Sequence, residues 1–100
     1  MNVYLVKPME FTGDEDINGM VVVAENSVAA LLTHPHVDED GNSFEWVRDT
    51  DSENGAWVDE EGRTDIFHGC GWPAPHRLHC VLLGAAANGM EEGIVLVDRD

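Results

Sequence analysis

Five side chains able to bind a soft or borderline metal fall within thirteen residues of this chain: His68, Cys70, His76, His79 and Cys80. Zinc needs three or four such ligands converging tetrahedrally, and its sequence signature is a closely spaced pair such as Cys-x-x-Cys or His-x-x-x-His. Neither pair is present here. His79 and Cys80 are neighbours, so in a strand they point to opposite faces and cannot share one ion. The expectation is no bound metal, with these five residues as the zinc candidates if one exists. Cys70 near His68 also has the composition of a nucleophile and its base. No third, orienting group and no nucleophile elbow accompanies it, so no catalytic residue and no cofactor is expected.

Calcium is weighed on the same terms. Asp49, Asp51 and Glu53 alternate, and Glu60 lies eleven residues beyond Asp49. An EF-hand loop needs glycine at its sixth position, where this chain has Asn54, and it needs flanking helices that are not expected here. Asp38, Asp40 and Asn42 fit no better. A solvated acidic loop accounts for both runs.

The stronger chemical signal is the acid itself. The 100 residues hold 20 Asp plus Glu against 5 Lys plus Arg, a formal net charge of -15, and the single lysine is Lys7. Direct nucleic-acid binding requires clustered Lys and Arg and is therefore not expected. Adsorption to anionic membranes is disfavoured for the same reason. Eleven acids lie between Asp38 and Asp65, opposed there only by Arg48 and Arg63. Adaptation to high salt would produce such a surface, as would a partner carrying positive charge. The uneven distribution favours the partner. The expected contact residues are Asp38, Asp40, Glu45, Trp46, Asp49, Asp51, Glu53, Trp57, Asp59, Glu60 and Glu61. Trp46, Trp57 and Phe44 are interleaved among the acids, and aromatic residues dominate interface hot spots. The same two tryptophans are expected to pin the insert to the core.

The elements that must hold this insert are short. Val3 to Val6 is a β-rich run stopped by Pro8. Met20 to Ala24 is a second, continuously apolar strand, expected to be buried on both faces. Asn26 or Ser27 caps a helix of about two turns, with Val28, Leu31 and Leu32 on its inner face. His34 followed by Pro35 ends it. Phe44 to Val47 and Ala56 to Val58 read as short strands or anchored loop pieces inside the acidic insert at 37–65. Residues 66–75 are irregular. Arg77 to Leu83 and Ile94 to Val97 read as two further strands, close enough in sequence to pair as an antiparallel hairpin. The expected architecture is one α+β domain over residues 1–100, a small, mostly antiparallel sheet with one short helix and an acidic irregular insert. Val3, Leu5, Val21, Val23, Leu31, Leu82, Val95 and Val97 are the expected core.

The two ends of the chain carry a resemblance. Asn2 to Val6, Val21 to Glu25, the short helix and the His34–Pro35 pair resemble small acidic proteins of bacteriophages and prophages. Leu82 to Ala86 and Gly93 to Val97 resemble the closing segments of the same group. The likeness covers about half the chain and its motifs are structural. It implies a mobile-element origin, but no activity or catalytic residue. Small acidic phage proteins often block host defence, so it also implies a cytoplasmic accessory protein binding a basic, nucleic-acid-handling host protein, an anti-CRISPR or other defence inhibitor. Two other readings remain open: a metal-stabilised or thiol-bearing domain with its site at 68–80, and a halophilic structural protein. The start of the chain does not read as a signal peptide, since Pro8 and Glu10 interrupt it, and the two cysteines are expected to be reduced.

Overall fold

A computed structural model describes residues 1–10, 17–37, 40–48, 55–65 and 71–99. The protein is a small α+β fold built on a four-stranded antiparallel sheet. Strands β1 (Asn2–Pro8) and β2 (Ile17–Ala24) form its centre. They are flanked by β5 (Leu78–Ala85) beside β1 and by β6 (Gly93–Arg99) beside β2, in the order β5-β1-β2-β6. Helix α1 (Ser27–Leu31) follows β2, and a two-stranded hairpin, β3 (Glu45–Arg48) and β4 (Gly55–Val58), stands apart from the sheet. Among the described residues no helix is long and apolar enough to cross a membrane.

The expected hairpin between the last two strands is corrected. β5 and β6 lie on opposite edges of the sheet, each paired with a different central strand. Three strand spacings separate them, about 14 Å. The intervening residues 86–92 span up to about 24 Å when extended, so the crossing is within reach. Ala86 N–H donates to the Met1 carbonyl at 3.0 Å as the chain leaves β5.

Register decides which side chains face inward. Tyr4 pairs with Val22 and Val6 with Met20, and on the other side Val6 pairs with Cys80 and Pro8 with Leu78. These residues form the inner face with Ala24, and Val97 packs against them. The alternate set, Val3, Leu5 and Val21, is on the outer face and only half-buried. The expected core therefore needs correction. Val23 is fully buried, and Leu31 and Val97 pack against the core, but Leu82 is 59% exposed and Val95 55%. For Val3, Leu5 and Val21 the reason is that both strand faces are apolar, and a period of two cannot say which parity points inward when both do. Leu82, which pairs with the inward Tyr4, lies beside a register irregularity, and Val95 is the unpaired residue of another.

The helix is shorter than two turns. Asn26 caps it, its Oδ1 accepting from Ala29 N–H at 2.9 Å. The inner face is Ala30, with Ala29 and Leu31 beside it, whereas Val28 is 63% exposed and Leu32 47%. A small residue at the contact lets the helix backbone approach the sheet closely, so the helix is seated by an alanine and not by its larger aliphatics.

Candidate functional site

Among the described residues of the insert at 37–65, the exposed acids lie on β3, at Glu45, in the turn after β4, at Glu60 and Glu61, and at Asp40, and the inner side of the β3–β4 hairpin explains how this surface is held. Trp46 and Trp57 are directly opposite in the register, with ring centroids 5.4 Å apart in a T-shaped contact. Gly55 makes this possible. A Cβ there would collide with the Val47 carbonyl and lie 2.7 Å from the Trp46 ring. Trp57 is 1% exposed, and its Nε1–H donates to the Pro73 carbonyl at 2.9 Å.

Below the tryptophans lies a buried polar pair. The His34 ring sits 4.7 Å from Phe44 and 5.2 Å from Trp57, centroid to centroid. Its Nδ1 accepts the His36 N–H at 3.0 Å, so the ring proton is on Nε2, which donates to Asp65 Oδ2 at 2.9 Å. The same oxygen accepts the Trp72 N–H at 2.8 Å. Asp65 thus ties three segments together: the end of the helix, the strand-like exit of the hairpin and the chain leading to β5. With both ring nitrogens engaged, His34 is not available as a general base. The indole N–H of Trp72 is buried with no acceptor among the described residues.

A second carboxylate is turned inward. Asp59, one of the expected contact residues, is 6% exposed. Its Oδ1 accepts from the N–H groups of Glu61 and Arg63, at 3.0 and 2.9 Å, and its Oδ2 from Arg63 Nε at 3.2 Å. It organises the turn, where Gly62 takes a φ of 82°. Trp57, another expected contact residue, lies in the buried core cluster, where its ring ties the hairpin to the core.

The outward carboxylates are Asp40, Glu45, Glu60 and Glu61, all exposed, with Glu61 Oε2 2.9 Å from Arg63 Nη2. Trp46 is half-buried beside them. Glu45 and Glu60 line a cleft of about 260 Å³ together with Asn42, Ser43, Val58 and Asp59. Carboxylates and a carboxamide converging on a small cleft suit a guanidinium or ammonium group, since carboxylates only accept hydrogen bonds. Asp38, Asp49, Asp51 and Glu53 lie outside the described residues.

Among the described residues the zinc candidates His76, His79 and Cys80 do not come together. His76 and His79 are exposed, while Cys80 is half-buried on the opposite face of β5 from His79, packed against the core. Desolvation pushes the Cys80 thiol above its ordinary value of 9.0, away from the thiolate that binds metals or attacks carbon. His68 and Cys70 lie outside the described residues. Among the described residues no group of three or more His, Cys, Asp and Glu could hold a metal.

Sequence reasoning passed over His34, Asp65 and Asp59 as structural groups. The Asp59–Arg63 spacing with Gly62 between them signals a closed turn. Nothing in the sequence links His34 to a carboxylate thirty-one positions away. Comparison of the chain with protein-family models, with curated proteins and with solved structures gave no match.

Proposed function

We infer that this protein works by binding a basic protein partner through the outer side of the β3–β4 hairpin and the turn that follows it. The observation that carries the reading is the cleft between Glu45 and Glu60, mounted on a hairpin that Trp57 and the His34–Asp65 pair hold to the core. A rigid carboxylate surface receives Lys or Arg side chains without first being ordered, which lowers the entropic cost of association. The net charge of -15 steers a basic partner toward it and repels nucleic acid. The resemblance at the chain ends gives this its concrete form: an accessory protein of a mobile element that occupies the phosphate-binding groove of a host defence protein in the cytoplasm.

The test is competition. Immobilised protein is exposed to bacterial lysate at low salt, and retained proteins are challenged with duplex DNA. The expected result is retention of a basic nucleic-acid-binding protein that DNA displaces and that D40N/E45Q/E60Q does not retain. Equal retention by the neutralised variant, or indifference to DNA, would sink the reading and leave the acid as a solubility device.

A further inference from the structure

The outer face of the four-stranded sheet is apolar and uncovered at its centre. Register places Val81, Leu5, Val21 and Leu96 side by side in one row across all four strands. Val81 is 45% and Leu96 61% exposed, and the two between them are half-buried. The next row is open only at its β5 end: a Cβ on Gly84 would meet no atom within 4 Å, whereas Val23, on the other side of Val3, is fully buried. Neither the helix nor the β3–β4 hairpin closes this side, because the buried cluster they share lies on the other face.

The adjacent row is polar, and its order is informative. His79 pairs with Lys7, Lys7 lies beside Gly19, and Gly19 pairs with Asp98. One end of the row is therefore basic and the other acidic. A two-fold axis running parallel to the strands, between two such faces, would set β5 over β6 of the second copy and β1 over β2. The aliphatic row then meets itself, His79 meets Asp98 of the second copy, and Lys7 lies over Gly19, one strand from that Asp98. Two sheets stacked in this way have aligned strands, as in a β-sandwich.

We propose that this face is covered by a second copy of the chain, giving a two-fold symmetric, face-to-face dimer. The charge order favours self-pairing over other occupants, since the row is complementary to its own two-fold image. An anionic membrane is disfavoured by the net charge of -15. Four strands about 4.8 Å apart and about seven residues long give a footprint on the order of 400 Å² per copy. With side-chain relief the two copies together bury on the order of 1,000 Å², the lower bound of a specific interface, so the dimer dissociates at micromolar concentration. Each copy brings a large negative charge, so added salt screens the repulsion and strengthens this dimer. A contact between the acidic hairpin and a basic partner weakens with salt, so the two surfaces are distinguished by the sign of their salt dependence.

The experiment is sedimentation velocity across the micromolar range at low and high salt. Wild type is expected to shift from monomer to dimer with concentration, and at lower concentration in high salt. V81D/L96D changes two exposed positions; it should keep the wild-type circular dichroism and remain monomeric. K7E and D98K should each weaken the dimer a few-fold, and K7E/D98K should recover part of the loss, as opposite charges on neighbouring strands across an interface do in a double-mutant cycle. A wild type that stays monomeric throughout overturns the proposal, and so does a dimer that survives V81D/L96D, which would point to edge pairing. Monomeric wild type that binds phosphatidylserine–phosphatidylcholine vesicles through Leu96 would assign the face to lipid instead.

Discussion

Replacing Asp65 tests whether the buried pair holds the acidic hairpin to the sheet. Its Oδ2 accepts two hydrogen bonds, from His34 Nε2 at 2.9 Å and from Trp72 N at 2.8 Å, and both donors are buried. Asp65→Ala leaves each donor without its acceptor, at about 1–3 kcal/mol apiece. The loss is therefore about 2–5 kcal/mol after partial relaxation, a large fraction of the 5–15 kcal/mol or so that stabilises a typical domain. Asp65→Asn is the informative contrast. One amide oxygen in the place of Oδ2 still accepts from both donors, and what is lost is the charge assistance, about 1 kcal/mol. Urea unfolding followed by tryptophan emission reads the hairpin, because Trp57 and Trp72 both flank His34. Far-ultraviolet circular dichroism reads the sheet in the same samples. The expected order of stability is wild type, Asp65→Asn, Asp65→Ala, with the tryptophan transition of Asp65→Ala moving ahead of the sheet transition. A loss below about 0.5 kcal/mol for Asp65→Ala, or Asn as damaging as Ala, would mean that the oxygen is not what the two donors require.

Two further outcomes follow from the packing. Gly55→Ala puts a methyl against the Val47 carbonyl and the Trp46 ring; overpacking of that kind destabilises by about 1–3 kcal/mol, and a thermal melt unchanged from wild type would contradict the close approach. In a Cys70→Ser background, the alkylation rate of Cys80 by iodoacetamide should rise with a midpoint above the ordinary thiol value of 9.0, because burial disfavours the thiolate. With its folded pKa raised, this group contributes stability below that value and the contribution is lost as pH rises through it, so unfolding should become easier above pH 9.0 and not below. An alkylation midpoint at or under 9.0 would contradict the burial of this thiol.

Local chemistry was legible in the chain wherever the determinant was local. The β-rich run before Pro8, the Asn26 cap and the two short strands around Trp46 and Trp57 all depend on residues within a few positions of one another, and the structure has each of them, whereas the helix ends at Leu31, ahead of the expected stop at Pro35. The α+β class followed from the same signals, as did the pinning role of Trp57. What required the tertiary structure was every choice between equivalent local options. Val3 and Tyr4, or Val21 and Val22, offer the same hydrophobicity to either side, and only the packing of the helix and hairpin on one side made Tyr4 and Val22 the core and left Leu5 and Val21 on the other. Strand pairing was a choice of the same kind: β5 and β6 are near in sequence, yet β1 and β2 occupy the space between them, since a central strand satisfies backbone groups on both edges. The carboxylates sort likewise. Asp59, Glu60 and Glu61 are consecutive and chemically alike, but a carboxylate can be buried only where donors meet it, and the fold brings donors to Asp59 from its own turn and to Asp65 from two distant segments, leaving Glu60 exposed to solvent.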